Sequence, residues 1–154
     1  MFKRITIKVG SNVLTRKDGS LDVTRMSALV DQIAEVRRMG TEVVLVSSGA
    51  VASGRSELGD GFRCHGRKSS QMKSLDSVGQ RQLYSAVGQA KLINRYYEMF
   101  RDHGISVGQV LTTKESLSTR QDYLNQRNCM MVMLQCGVLL RFQNRRSQTA
   151  SNWQ

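Results

Sequence analysis

Residues 43–54, Val-Val-Leu-Val-Ser-Ser-Gly-Ala-Val-Ala-Ser-Gly, constrain the fold more than any other stretch of the chain. The four consecutive aliphatic residues Val43 to Val46 read as a strand buried on both faces. Ser47-Ser48-Gly49 breaks the run. Gly49 lacks the Cβ that would hinder close approach of backbone. Small residues follow at helical length, so the chain is expected to turn directly from strand into helix. A helix N-terminus reached this way offers free backbone N–H groups and the positive end of a dipole, and the serine hydroxyls add donors. That chemistry suits an anion. An ordinary serine-capped turn has the same sequence, and this stretch alone leaves both readings open.

The flanking segments give the turn a context. Arg4 to Val9 alternates and reads as a first strand. Lys8 sits at its carboxyl end, before Gly10-Ser11-Asn12. Ligands of open parallel sheets bind at that end of the strands, where a lysine can reach a phosphate or stand solvated; spacing leaves both open. Lys17 to Ser20 reads as a turn. A helix capped by Asp22 or Thr24 is expected to run to Met39, with Met26, Leu29, Val30, Ile33, Ala34 and Val36 at the 3.6-residue period and Gly40 as its stop. Strand, helix and strand make a right-handed β-α-β unit.

Beyond the turn, Ala50 to Leu58 continues as helix. Residues 59–78 lack a period and read as a loop. A long helix is expected from Gln80 to His103, its apolar face formed by Leu83, Val87, Ala90, Leu92, Ile93, Tyr97 and Phe100. A glycine inside a helix costs up to about 1 kcal/mol relative to alanine, so Gly88 suggests close approach of another element. His103 is expected to cap the helix dipole. Residues 105–112 read as a third strand. A helix starting at Thr119 or Gln121 reaches Gln135, with Tyr123, Leu124, Cys129, Met130, Met131, Met133 and Leu134 as its apolar content. Val138-Leu139-Leu140 opens a fourth strand. From Arg141 to Gln154 the sequence is polar, basic and aperiodic, in character a disordered tail.

At 154 residues, with 40% hydrophobic and 23% charged residues, the chain suits one soluble domain. It has no apolar run of about 18 residues, so no membrane span is expected. Cys64, Cys129 and Cys136 show no metal-type spacing and read as free thiols, which with the lack of a signal-peptide core points to the cytoplasm. Cys64 and His65 are too few for a metal site, and no metal ligand is assigned. The net charge of +11 raises nucleic acid or another anion as partner, so a non-enzymatic basic binding protein is the alternative to an enzyme. The excess charge concentrates in Arg63, Arg67, Lys68, Lys73 and Arg81 and in the final segment. Phe62, Phe142 and Trp153 are the aromatic residues there and do not form an interleaved pattern for base stacking, which makes nucleic acid the weaker expectation.

Three segments carry a more specific signal: Ile7-Lys8-Val9-Gly10-Ser11-Asn12-Val13-Leu14, then Val46-Ser47-Ser48-Gly49-Ala50-Val51-Ala52-Ser53-Gly54-Arg55, then residues 86–93 with 104–111. In order and spacing this sequence resembles the glutamate 5-kinases of the amino acid kinase family over about residues 3–138. The resemblance implies a three-layer α/β/α sandwich around a mainly parallel sheet. It also implies ATP-dependent phosphorylation of the γ-carboxylate of L-glutamate, the first step of proline biosynthesis, with Mg²⁺ bridging the phosphates. Lys8 matches the family lysine that contacts the nucleotide phosphates and offsets charge on the transferred group. Gly10 and Ser11 fall to nucleotide binding, and Ser48, Gly49 and Ala50 to substrate binding. A homo-oligomer is left open.

The end of the chain departs from the family. The fourth strand of these kinases continues through a proline-containing run into an Asn-Glu-Asn-Asp motif. Here the chain reads Leu139-Leu140-Arg141-Phe142-Gln143-Asn144-Arg145-Arg146 and carries none of those carboxylates. The expectation is a truncated domain over residues 1–138, weakly active or inactive alone, followed by an atypical basic tail over 139–154. Half of a doubly wound sheet is also expected to leave an unpaired edge and an uncovered apolar face.

Overall fold

A computed structural model describes residues 2–59, 77–112 and 118–144. The expected loop, Cys64 and His65, the basic residues from Arg63 to Lys73 and the chain from Arg145 onward lie outside the described residues.

Four strands form one parallel sheet in the order β1-β2-β4-β3: β1 (Arg4–Val9), β2 (Glu42–Ser47), β3 (Val107–Thr112) and β4 (Leu139–Asn144). Among the described residues five helices accompany them: α1 (Ser11–Leu14), α2 (Val23–Arg38), α3 (Ala50–Glu57), α4 (Ser77–Arg101) and α5 (Arg120–Gln135). Asp22 caps α2 by accepting from the Arg25 N–H at 3.1 Å, and Thr119 caps α5 by accepting from the Asp122 N–H at 3.1 Å. Gly40, at φ +84°, lets the chain reverse after α2 and enter β2.

Two apolar cores lie on opposite faces of the sheet. On one face Val43 and Leu45 of β2, Val9 of β1 and Leu139 of β4 pack with Met26, Val30 and Ile33 of α2 and Leu92, Tyr96 and Phe100 of α4. On the other, Val44, Val110 and Leu140 pack with Leu134, Met130 and Met133 of α5. β2 is therefore buried on both sides, as its aliphatic run requires. Helix, sheet and helix make three layers.

The face α4 buries is rotated from the expected one. Gly88, Leu92, Tyr96 and Phe100, spaced by four, point inward, while Tyr97 and Ala90 are exposed. α5 is drier in sequence than in structure. Leu134 alone is fully buried, Met130 and Met133 pack beside it, and Tyr123, Leu124 and Cys129 face solvent. The ring of His103, two residues past the end of α4, makes a specific contact instead of a purely solvated one: its Nε2 lies 2.9 Å from the Asp31 carboxylate on α2. The part of the second face left open along β1 carries Arg4, Thr6 and Lys8, all exposed, so it is polar where an apolar surface was expected. Exposed apolar side chains occur instead on the outside of α5 and at Leu111 of β3, which borders the described sheet.

β4 also corrects the sequence reading, which ends the strand at Leu140. It runs to Asn144 because it lies between two partners: β3 pairs along its whole length, Val107 with Leu139 through Thr112 with Asn144, and β2 pairs with Leu140 to Phe142. Backbone pairing on both sides overrides a polar composition. One consequence is that Arg141 is fully buried, its guanidinium 5.6 Å from the centre of the Tyr96 ring. One nitrogen donates to the Gln143 amide oxygen at 3.2 Å, while Nε and Nη2 have no partner. Burial pulls the Arg141 pKa below the ordinary arginine value. A buried cation without a carboxylate is a net cost to the fold.

The tightest packing is between α3 and α4. A Cβ on Gly54 would overlap the Tyr84 carbonyl oxygen, and one on Gly88 would overlap the Ala50 carbonyl and the Gly54 amide nitrogen. Each backbone occupies the space of the other's missing side chain, which is the close approach that Gly88 suggests in the sequence.

Two stability changes follow, both read as urea midpoints. Gly88→Ala, which would gain up to about 1 kcal/mol in a free helix, is expected to lose about 1–3 kcal/mol here through overpacking. Arg141→Met is expected to stabilise the chain by about 1–4 kcal/mol, as replacement of unpaired buried charge by apolar volume does.

Candidate functional site

The carboxyl ends of β1 and β2 lie side by side, Val9 opposite Ser47 in the ladder. One further hydrogen bond, from the Ser48 N–H to the Val9 carbonyl at 2.9 Å, ties the turn after β2 to the end of β1. Gly49 then takes φ +113° and ψ 3°, a left-handed conformation that side-chain-bearing residues rarely adopt. This sharp turn starts α3 at Ala50. Gly49 is the N-cap and supplies no side chain, so the first N–H groups of α3 face outward without a capping acceptor.

Behind the turn, the Ser47 hydroxyl lies 2.7 Å from the Tyr96 hydroxyl and donates to the Ser48 carbonyl at 3.0 Å. Tyr96 is fully buried. Burial pushes its phenol pKa up, while the Ser47 hydrogen bond and the Arg141 charge pull the other way. The pair anchors the last residue of β2 to α4.

In front of the turn is a cleft of about 490 Å³. Ser48, Gly49 and Ala50 line it together with Ser11 at the start of α1 and Thr15 at its end. Its far wall is the turn around Gly19, where Asp18 accepts from the Ser20 N–H at 2.8 Å and from its hydroxyl at 2.6 Å. Those two bonds hold the Asp18 carboxyl below its ordinary pKa. Thr15 and Leu21 bridge antiparallel across the loop, and the Leu21 N–H donates to the Ser56 hydroxyl of α3 at 2.9 Å. Val51, Ala52 and Arg55 of α3 and Arg81 of α4 complete the lining.

The six residues singled out in the sequence divide. Ser11, Ser48, Gly49 and Ala50 meet in the cleft; Lys8 and Gly10 do not line it. Gly10 is the N-cap of α1. Lys8 is exposed on β1, and strand alternation directs it to the face opposite Ile7 and Val9, away from α4. Arg55 and Arg81 were not singled out as site residues. Arg81 read as part of a solvated basic stretch, because its proximity to α3 depends on the helix crossing. Arg55 was within reach, since it ends the second motif segment.

The arrangement can hold an anion with backbone N–H groups, hydroxyls and two guanidinium groups. Among the described residues no three histidine, cysteine or acidic side chains gather as metal ligands, so the residues present do not by themselves fit Mg²⁺. Also among them, no helix is long and apolar enough to cross a membrane.

Comparison with known proteins assigns this architecture. The pattern of the amino acid kinase family matches residues 3–143, and the chain belongs to that family. Over 138 residues it is 68% identical to the glutamate 5-kinase of Bacteroides thetaiotaomicron, covering 90% of this chain and 35% of that protein. It is 43% identical over 139 residues to the glutamate 5-kinase of Dehalococcoides mccartyi strain CBDB1, covering 90% and 34%, and 41% identical over 139 residues to that of Chlorobaculum tepidum, covering 90% and 36%. The chain thus spans about a third of the length of the relatives it matches.

The turn gives a direct test of its geometry. Gly49→Ala, forced to keep φ +113°, is expected to cost about 1–2 kcal/mol, seen as a lower urea midpoint. Amide exchange at Ser48 is expected to quicken as its bond to Val9 loosens.

Proposed function

We propose that this chain supplies the substrate-side part of an ATP-dependent kinase that phosphorylates the γ-carboxylate of L-glutamate, the reaction that opens proline biosynthesis in the cytoplasm. The observation that supports this best is the Ser48-Gly49-Ala50 turn. It presents a hydroxyl and the uncapped start of α3 to a cleft that Ser11 shares, in a chain 68% identical to a glutamate 5-kinase.

On this reading the turn holds the substrate carboxylate. The α3 N–H groups and the Ser48 hydroxyl donate to its oxygens and orient one lone pair toward the phosphoryl donor. No protein nucleophile is needed, because phosphoryl transfer depends on positioning and charge stabilisation. Lys8, Gly10 and Ser11 are assigned to ATP. Lys8, exposed at the end of β1, offsets charge on the phosphoryl group as it moves. Ser11 is the one of the three that lines the cleft. Mg²⁺ would be carried by the phosphates and by carboxylates other than the described ones, and no step is assigned to it.

The reading places the remaining parts of the reaction in the roughly two thirds of the relatives that this chain does not match. The 154-residue chain alone is therefore expected to form no γ-glutamyl phosphate. A graft tests the assignment. Residues 3–138 of this chain replace the corresponding part of the Bacteroides thetaiotaomicron relative, and acyl phosphate is trapped with hydroxylamine. The graft is expected to be active, and Lys8→Ala within it to lower kcat by roughly 10²–10³, the size of one lost transition-state donor. An inactive but folded graft, or one indifferent to Lys8→Ala, would overturn the assignment.

A further inference from the structure

We infer that Arg55 and Arg81 form an oxyanion receptor at the rim of the cleft, which on the kinase reading above takes the carboxylate of the substrate that is not phosphorylated. Both side chains line the cleft and both are exposed. They come from different helices, yet packing sets their relation. Arg55 directly follows Gly54, whose backbone presses on Tyr84. The Arg55 guanidinium lies 5.8 Å from the centre of the Tyr84 ring, and Arg81 stands three residues before Tyr84 on the same side of α4.

Gly19 closes the arrangement from the other wall. A Cβ there would come within 2.5 Å of Arg55 Nη1, so the absence of a side chain at Gly19 admits the guanidinium. Arg55 thus lies between an aromatic face and a glycine turn and, among the described residues, has no carboxylate partner. Among the described residues neither arginine enters an ion pair, and the cleft lining includes no acid. Two cations converging on one cavity repel each other until an anion bridges them, and guanidinium forks match the planar oxygens of a carboxylate.

Position decides which part of a substrate they receive. Ala50 and Arg55 are five residues apart on α3, about 7.5 Å along its axis. A five-carbon diacid is shorter than that, and the long, exposed arginine side chains supply the remaining reach, so one carboxylate sits at the helix start and the other at the arginines. The turn is the end that Ser11 shares, so the arginines are left with the non-reacting group.

Calorimetric titration of the 154-residue chain tests this, with L-glutamate in one arm and inorganic phosphate in the other. The proteins are the unsubstituted chain, Arg81→Gln, and Arg55→Gln with Arg81→Gln, each checked for folding by circular dichroism. Arg81 is exposed and is not the arginine stacked over Tyr84, so the single variant remains informative if the double variant fails to fold. L-Glutamate is expected to bind the unsubstituted chain, and its affinity to fall tenfold or more in Arg81→Gln, the usual scale of a charge-assisted hydrogen bond. Arg81→Lys is expected to restore part of it. Binding of phosphate but not glutamate, lost in the variants, keeps the receptor and removes glutamate as its ligand. Glutamate bound equally by the folded variants overturns the receptor while leaving the kinase reading intact. No binding of either anion to the unsubstituted chain overturns it as well.

Discussion

The contact on which the site depends is between two stretches of backbone. Where α3 crosses α4, Gly54 and Gly88 each vacate the volume that the other helix fills. A side chain at either point would push the helices apart. Their closeness fixes Ala50, where the anion-facing start of α3 begins, against the same helix that carries Tyr96, Tyr84 and Arg81. The cleft wall is therefore a rigid pair of helices, as positioning of a substrate within a fraction of an ångström requires.

A second fixed point is the end of the sheet. β1 and β2 pair in register through Val9 and Ser47, and the Ser48 N–H continues the ladder by one bond before Gly49 turns the chain. Tyr96 holds Ser47 from below. Strand end, turn and long helix are thus bound together at one place. The two fixed points frame the four residues that were singled out in the sequence and line the cleft: Ser11, Ser48, Gly49 and Ala50.

β4 shows the same physics working against the sequence. Its inner face carries Leu139, Arg141 and Gln143 into a core otherwise built from aliphatic and aromatic side chains. The strand forms because hydrogen bonding to β2 and β3 leaves its backbone nowhere else to pair. Arg141 then sits under Tyr96 with two of its guanidinium nitrogens unanswered. Polar residues here occupy the interior within the span that the family pattern matches. Pairing and composition disagree there, and that marks β4 as a strained part of the sheet.

By itself the sequence determined the strands β1 to β3, the β-α-β order and the turn at Gly49, and it narrowed two helix caps to Asp22 or Thr24 and Thr119 or Gln121, of which the structure uses Asp22 and Thr119. Each is a local consequence of periodicity, capping or glycine chemistry, and needs no partner to be legible. Gly88 was legible as a position of close approach, though not what approached it. Only the tertiary structure decided that β4 runs on through Arg141, that Tyr96 and not Tyr97 faces the core, and that His103 pairs with Asp31. It also separated Lys8 from the cleft and brought Arg55 and Arg81 into it. These outcomes depend on which surfaces meet across gaps of tens of residues. A helix face is chosen by its neighbour, and a strand's extent by the strands on either side, neither of which is written in the local sequence.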